Sequence, residues 1–314
     1  MVWVTSSLAS LVLLGFVVAQ VQWVSARETL ANISYAWLTI GIGLLLIEGL
    51  VSAARFQLLT PTHVTYGRCV HAVAWYVLVL IGLPARLGEI AGIAIIVKYM
   101  NQRPGIATAS LFFQRLFDMI LLLSLLLTGL IFISPAHALV QKIASVLVLM
   151  GFIATIIYFE QIVSLLVSPL LSRRHEKWPR RILRLGLQAR IFRRHHLNRR
   201  KSNSLGALTL LKWVINLLAI ACIVLAVVPQ LSATSAFGIG VVYNLSAVVP
   251  IQTVGGFGVS EAVLLGSFSW LGYSLAASAP IAIAIRVAML SAPLAFWAVV
   301  VAALALRERP AEDA

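Results

Sequence analysis

Long uncharged apolar runs limit this chain to a membrane-spanning helical fold. Ile40–Ile47 and Met119–Ile133 contain no charged residue. A bilayer core of about 30 Å needs about 20 apolar helical residues to cross it, and several segments reach that length. The strict two-residue alternation of an outer-membrane barrel is missing. Only 11% of the residues are charged, against about 25% in a soluble domain. The expected fold is all-α: one polytopic transmembrane bundle over residues 1–314.

Spanning helices are expected at 3–24, 35–59, 106–133, 138–160, 205–229 and 277–305. The first half of the bundle is 1–133 and the second is 205–306. Each half holds one interrupted apolar region. In the first, at 69–98, the break runs Leu83-Pro84-Ala85-Arg86-Leu87-Gly88-Glu89. The arm before it, Val70–Gly82, has 13 residues, or about 20 Å at about 1.5 Å per residue, too short to cross alone. The second interrupted region, at 235–275, breaks at Pro250 and at Gly255-Gly256-Phe257-Gly258. Pro84, Gly88, Pro250, Gly255, Gly256 and Gly258 are the expected break or hinge residues. Proline and glycine free backbone polar groups, tolerated at membrane depth only inside protein or beside a wet cavity. Two re-entrant hairpins are therefore expected.

Charge orients the chain. The formal net charge is +14, and twelve of the 24 Lys and Arg residues lie between Arg173 and Lys201. A basic loop at 172–204 is expected to stay cytoplasmic and to attract anionic headgroups. Ile182, Leu185, Ala189 and Phe192 recur within it at helical spacing, as in a surface-lying amphipathic helix. No recognition fold accompanies the charge, so nucleic acid is not an expected partner. With that loop inside, both termini fall in the cytoplasm and the chain belongs in the cytoplasmic (inner) membrane. The hairpins then enter from opposite faces, as in an inverted-topology repeat. The halves echo each other in sequence as well: Arg115 follows Glu89 by 26 residues, and Arg286 follows Glu261 by 25.

Eight ionisable residues stand in apolar segments: Glu48, Arg55, Arg86, Glu89, Arg115, Asp118, Glu261 and Arg286. Each costs about 2.5–3.5 kcal/mol at a helix centre, so together they must pair or line a wet path. Arg115 and Asp118 share a helix face at i,i+3. Glu48 and Arg55 share one too, although Arg55 can also snorkel to the surface. Glu261 opens the returning arm of its hairpin, where a helix N-terminus favours negative charge. Structural ion pairing is the competing reading for any single residue. As a set they mark a cavity, in which arginines can hold a phosphate or other anionic group.

Other signals are weaker. Gly255-Gly256-Phe257-Gly258 lacks the Lys-Ser/Thr ending and strand–helix setting of a phosphate loop. Cys69 and Cys222 fit neither a disulfide framework nor a metal pattern, and no cofactor is expected. The first helix lacks the basic start of a signal peptide. His71 reads as a core or interface residue, and Trp3, Trp23, Trp213 and Trp297 read as interfacial anchors.

Three elements carry a family resemblance. Pro84-Ala85-Arg86-Leu87-Gly88-Glu89 resembles a Pro-x-Arg-x-Gly-Glu element. Ser110 through Asp118 resembles a Ser-x3-Glu-Arg-x2-Asp helix, with Gln114 in the place of the Glu. Gly255 through Glu261 resembles a Gly-Gly-x-Gly-x-x-Glu element. Together they resemble the lysylphosphatidylglycerol synthase transmembrane-region (flippase-like) family. The resemblance implies handling of an aminoacyl-phospholipid, hopanoid or polyprenyl-linked glycolipid. No soluble synthase domain follows in the sequence, so aminoacyl transfer is not implied. Gln114 removes one intramembrane acid, which puts proton coupling at that position in doubt.

The expected function is lipid flipping through a charged cavity formed by Arg86, Glu89, Arg115, Asp118, Glu261 and Arg286. A lipid-modifying enzyme is the first alternative, although the basic loop holds one acid, Glu176, and no acidic pair for a metal. A lipid-binding subunit of a separate synthase is the second. Membrane lipids are the expected partners, with a separate lipid-synthesis enzyme as the candidate protein partner. The sequence does not fix the oligomeric state.

Overall fold

A computed structural model describes residues 31–60, 64–83, 87–132, 199–245 and 258–307, with Arg27 and Met150 as single positions. Eight helices are described: α1 Tyr35–Leu59, α2 Tyr66–Gly82, α3 Leu87–Met100, α4 Pro104–Phe132, α5 Arg199–Val227, α6 Ala233–Leu245, α7 Val259–Trp270 and α8 Leu275–Arg307. The helices expected at 3–24 and 138–160, and most of the basic loop, lie outside the described residues.

Among the described residues, four helices are long and apolar enough to cross a membrane, within α1, α4, α5 and α8. Ile40, Ile47, Val287, Leu294 and Val299 point outward from two of them, where acyl chains replace water as solvent. The other four are short, from 12 to 17 residues, or about 18–26 Å at about 1.5 Å per residue. They occupy the two interrupted regions.

Helix ends follow local chemistry. Gly258 caps α7 at φ 90°, a backbone region open to glycine. Its N–H donates to Glu261 Oε2 at 2.6 Å, as the N3 acid of a capping box does. α7 ends five residues before the expected end of its interrupted region. There Gly272 adopts φ 89°. Gly272 N donates to the Ser269 carbonyl and Tyr273 N to that of Phe268, with the Phe268 and Tyr273 rings in contact. This is a Schellman stop. α5 is described from Arg199, inside the expected loop, since Arg, Lys and Ser continue a helix on the N-terminal side of its apolar stretch.

The described helices fall into two runs of four along the chain, a first unit α1–α4 and a second unit α5–α8. α2 packs on α3, and α3 on α4; α6 packs on α7, and α7 on α8. One buried core gathers side chains of α5 through α8, including Ile223, Leu264, Phe268 and Ile285. A second gathers α1 through α4 with Phe296 and Val300 of α8, and two smaller clusters join α1 or α4 to α5. Between the units, α4 packs on α6 and α8 packs on α2.

α1 and α5 form the most extensive contact between the units and run antiparallel. Ser34 N donates to the Ala226 carbonyl at 2.8 Å. A Cβ on Gly41 would lie 2.7 Å from Ile223 and 3.0 Å from the Ala219 carbonyl. Glu48 meets Lys212 and Asn216. As α1 advances, its partners on α5 recede.

Candidate functional site

Two side-chain clusters share one plan. In the first unit, Arg115 Nε lies 3.4 Å from Glu89 Oε1, and Arg115 Nη2 donates to the Tyr76 hydroxyl at 3.0 Å. In the second, Arg286 Nε lies 3.4 Å from Glu261 Oε1, and Arg286 Nη1 donates to the Tyr243 hydroxyl. The tyrosines are each the eleventh residue of their helix, α2 or α6. Each Glu is the third residue, of α3 or α7. Each Arg is the twelfth residue, of α4 or α8. The plan thus recurs in sequence, in helix register and in side-chain contact.

Tyr76, Tyr243 and Glu261 have further supporting contacts. Tyr76 lies against Phe56 of α1, ring centroids 5.9 Å apart. Its ring also occupies the space beside Gly92, where a Cβ would approach within 2.3 Å. Ser260, next to Glu261, hydrogen-bonds Tyr243. Glu261 is fixed by the Gly258 N–H as well as by Arg286.

The clusters differ in access. The Glu89 and Arg115 side chains are each 38% exposed. Those of Glu261 and Arg286 are 1% and 10% exposed. Both ion pairs, at 3.4 Å, are longer than a charge-assisted bond of about 2.7–2.9 Å.

A third pair lies behind the first cluster. Arg55 Nη2 sits 3.0 Å from Asp118 Oδ1 and donates to the Gln114 carbonyl. Trp213 Nε1 donates to the same Asp118 oxygen at 2.9 Å. Arg55 is 2% exposed, so it does not snorkel to the surface: its partner is inside. Arg115 and Asp118, one turn apart, serve different partners. Trp213 is buried at this pair rather than at the membrane interface. A fourth pair, Glu48 with Lys212 at 3.6 Å, joins α1 to α5.

Of the expected cavity residues, Glu89, Arg115, Glu261 and Arg286 fall into the two clusters, and Asp118 into the supporting pair. Arg86 lies outside the described residues, as do Pro84, Pro250, Gly255 and Gly256. Gly88, an expected break or hinge residue, is the second residue of α3 and lets α3 approach the Leu80 backbone, where a Cβ would come within 2.7 Å. Sequence reasoning passed over Tyr76, Tyr243 and Lys212. Lys212 was open to detection as a charge inside an apolar run. The tyrosines carry no comparable signal singly, although each precedes its Glu on a short helix.

An all-helical bundle with spanning helices, short helices and interior ion pairs defines a multi-pass α-helical membrane protein. The chain belongs to the family of the lysylphosphatidylglycerol synthase TM region, whose model matches residues 3–307. No curated protein and no solved structure matches it.

Proposed function

We propose that this chain is a lipid flippase, moving a lipid with a polar or anionic headgroup across the cytoplasmic membrane while its tails stay in the bilayer. The observation that carries this reading is the recurrence of the Tyr–Glu–Arg cluster in two reciprocally packed units. Family membership supports a lipid-related role in the membrane. The resemblance of the motifs narrows the substrates to an aminoacyl-phospholipid, a hopanoid or a polyprenyl-linked glycolipid.

In this reading, α1–α4 and α5–α8 are inverted-topology repeats. The antiparallel α1 and α5, and the exchange of contacts between α4 and α6 and between α8 and α2, support it. The short pairs α2–α3 and α6–α7 are the re-entrant hairpins, entering from opposite faces. The basic loop and both termini are cytoplasmic.

Arg115 and Arg286 are the headgroup contacts, each in turn. An anionic oxygen replaces part of the carboxylate's hold on the guanidinium, and the tyrosine keeps the arginine aimed. Unequal exposure of the two clusters fits a state with one station open and the other closed. Alternation between that state and its mirror moves the headgroup through a path that acyl chains never enter.

The test is reconstitution into vesicles with a headgroup-labelled phospholipid and a membrane-impermeant quencher. The expected result is faster loss of inner-leaflet signal than in protein-free vesicles. Equal rates for every lipid of the proposed classes would overturn the reading.

A further inference from the structure

Two buried donors behind the first station lack an acceptor. Gln114 is 6% exposed and Arg55 is 2% exposed. Among the described residues, neither Gln114 Nε2 nor Arg55 Nε has a hydrogen-bond partner. The two residues meet: Arg55 Nη2 donates to the Gln114 carbonyl at 3.3 Å and lies 3.0 Å from Asp118 Oδ1.

The plan shared by the two units does not account for these donors. Gln114 and Asp118 are the eleventh and fifteenth residues of α4, and Arg55 is the twenty-first of α1. The same positions of α8 and α5 hold Ile285, Met289 and Ala219. Ile285 and Ala219 are fully buried. The second unit thus fills this place with apolar side chains, a replacement that is often neutral or stabilising for a buried pair. Packing alone does not demand the polar trio, and a buried donor left unmade lowers stability. Donors kept at that cost call for an acceptor that comes and goes.

Their position identifies the acceptor's source. Gln114 precedes Arg115 on α4. Phe56, next to Arg55, packs on the Tyr76 ring, whose hydroxyl accepts from Arg115. The trio therefore lies directly behind the station with the more exposed ion pair.

We propose that Gln114 and Arg55 form a selectivity subsite that donates hydrogen bonds to uncharged oxygens of the headgroup, so that a polyol or sugar headgroup is preferred over one ending in an ammonium. This rests on the flippase reading, which brings the headgroup to Arg115.

Matching donors to acceptors gives the preference. The headgroup phosphate takes Arg115. Arg55 Nε and Gln114 Nε2 only donate. Asp118 Oδ1 is already engaged by Arg55 and Trp213, while Glu89, relieved of part of its hold on Arg115, accepts. Hydroxyls both accept and donate, so a polyol serves the empty donors and Glu89 alike. An ammonium only donates. It satisfies Glu89 and leaves the buried donors empty, and a site built of buried hydrogen-bonding groups rejects a ligand that leaves them unpaired. The subsite is covered in the state described, and its contact forms as the headgroup passes inward from Glu89 and Arg115.

The test uses the full chain in detergent micelles with three lipids of identical acyl chains: phosphatidylglycerol, phosphatidylethanol and phosphatidylethanolamine. Phosphatidylethanol has the charge of phosphatidylglycerol and lacks its hydroxyls. Native mass spectrometry reads the bound lipid. Phosphatidylglycerol should bind about tenfold better than phosphatidylethanol, the scale of one hydrogen bond to a buried group, and better than phosphatidylethanolamine. Gln114→Met keeps the side chain's length and removes the donor. It should bring the two anionic lipids close to equal binding, with a melting temperature no lower than that of the wild type. Gln114→Glu turns the donor into an acceptor and should favour phosphatidylethanolamine over phosphatidylglycerol. Equal binding of the two anionic lipids by the wild type overturns the subsite. So does a preference unchanged in both variants; a lower melting temperature with the preference intact assigns Gln114 a structural role instead. Acyl-labelled phosphatidylglycerol that binds with this preference but does not cross vesicle membranes overturns the flippase reading and leaves the subsite standing.

Discussion

Arg55 and Asp118, 63 positions apart in sequence, meet at 3.0 Å behind the first cluster with almost no access to solvent. Removing one partner of such a buried pair leaves a bare charge, whereas replacing both with apolar residues does not. Arg55→Ala should destabilise the protein by about 3–5 kcal/mol. The double replacement Arg55→Met with Asp118→Leu should recover most of that loss. Thermal unfolding in detergent micelles, followed by tryptophan fluorescence, reads both. Equal losses in the single and the double variant would count against the pairing.

The two tyrosines should not be equivalent. Tyr243→Phe takes a hydroxyl from Arg286, which is buried and cannot recruit water, at a cost of about 1–3 kcal/mol. Tyr76→Phe takes one from Arg115, which is 38% exposed and can be hydrated. Its stability loss should be well under half as large. Lipid movement should nevertheless fall in both. Equal destabilisation would mean that the clusters are equally closed.

Gly92 is a sensitive position far in sequence from Arg115. A Cβ there would press on the Tyr76 ring at 2.3 Å. Gly92→Ala should cost about 1–3 kcal/mol and turn Tyr76 away from Arg115. Lipid movement should drop more than it does for Tyr76→Phe, because the displaced ring disturbs Arg115 and Glu89 together. Transport at the wild-type rate would show that Tyr76 does not position the arginine.

Much of this arrangement is legible in the sequence, and physics explains the boundary. Helices from 35 to 59 and from about 104 to 132 follow from apolar runs that only a helix can satisfy inside lipid. Glu89, Arg115, Glu261 and Arg286 announce themselves as charges where charge is costly. Their matched spacing marks the halves as echoes of each other, whereas which acid meets which arginine is set by the packing of separate helices. Tyr76 and Tyr243 stay silent because an amphipathic ring fits an apolar helix without cost. Trp213 misleads for the same reason: a tryptophan near a helix end reads as an interfacial anchor, whereas here its N–H serves Asp118. Arg55 and Asp118 pair through tertiary packing of α1 on α4, to which helix periodicity is blind.

The central claim is that the two clusters are successive stations on one headgroup path. The direct measurement is the rate of headgroup-labelled phospholipid movement in vesicles holding equal amounts of folded wild type, Arg115→Ala, Arg286→Ala and the double variant. Stations in series predict that each single variant is as inactive as the double. Wild-type movement in either single variant would contradict the account.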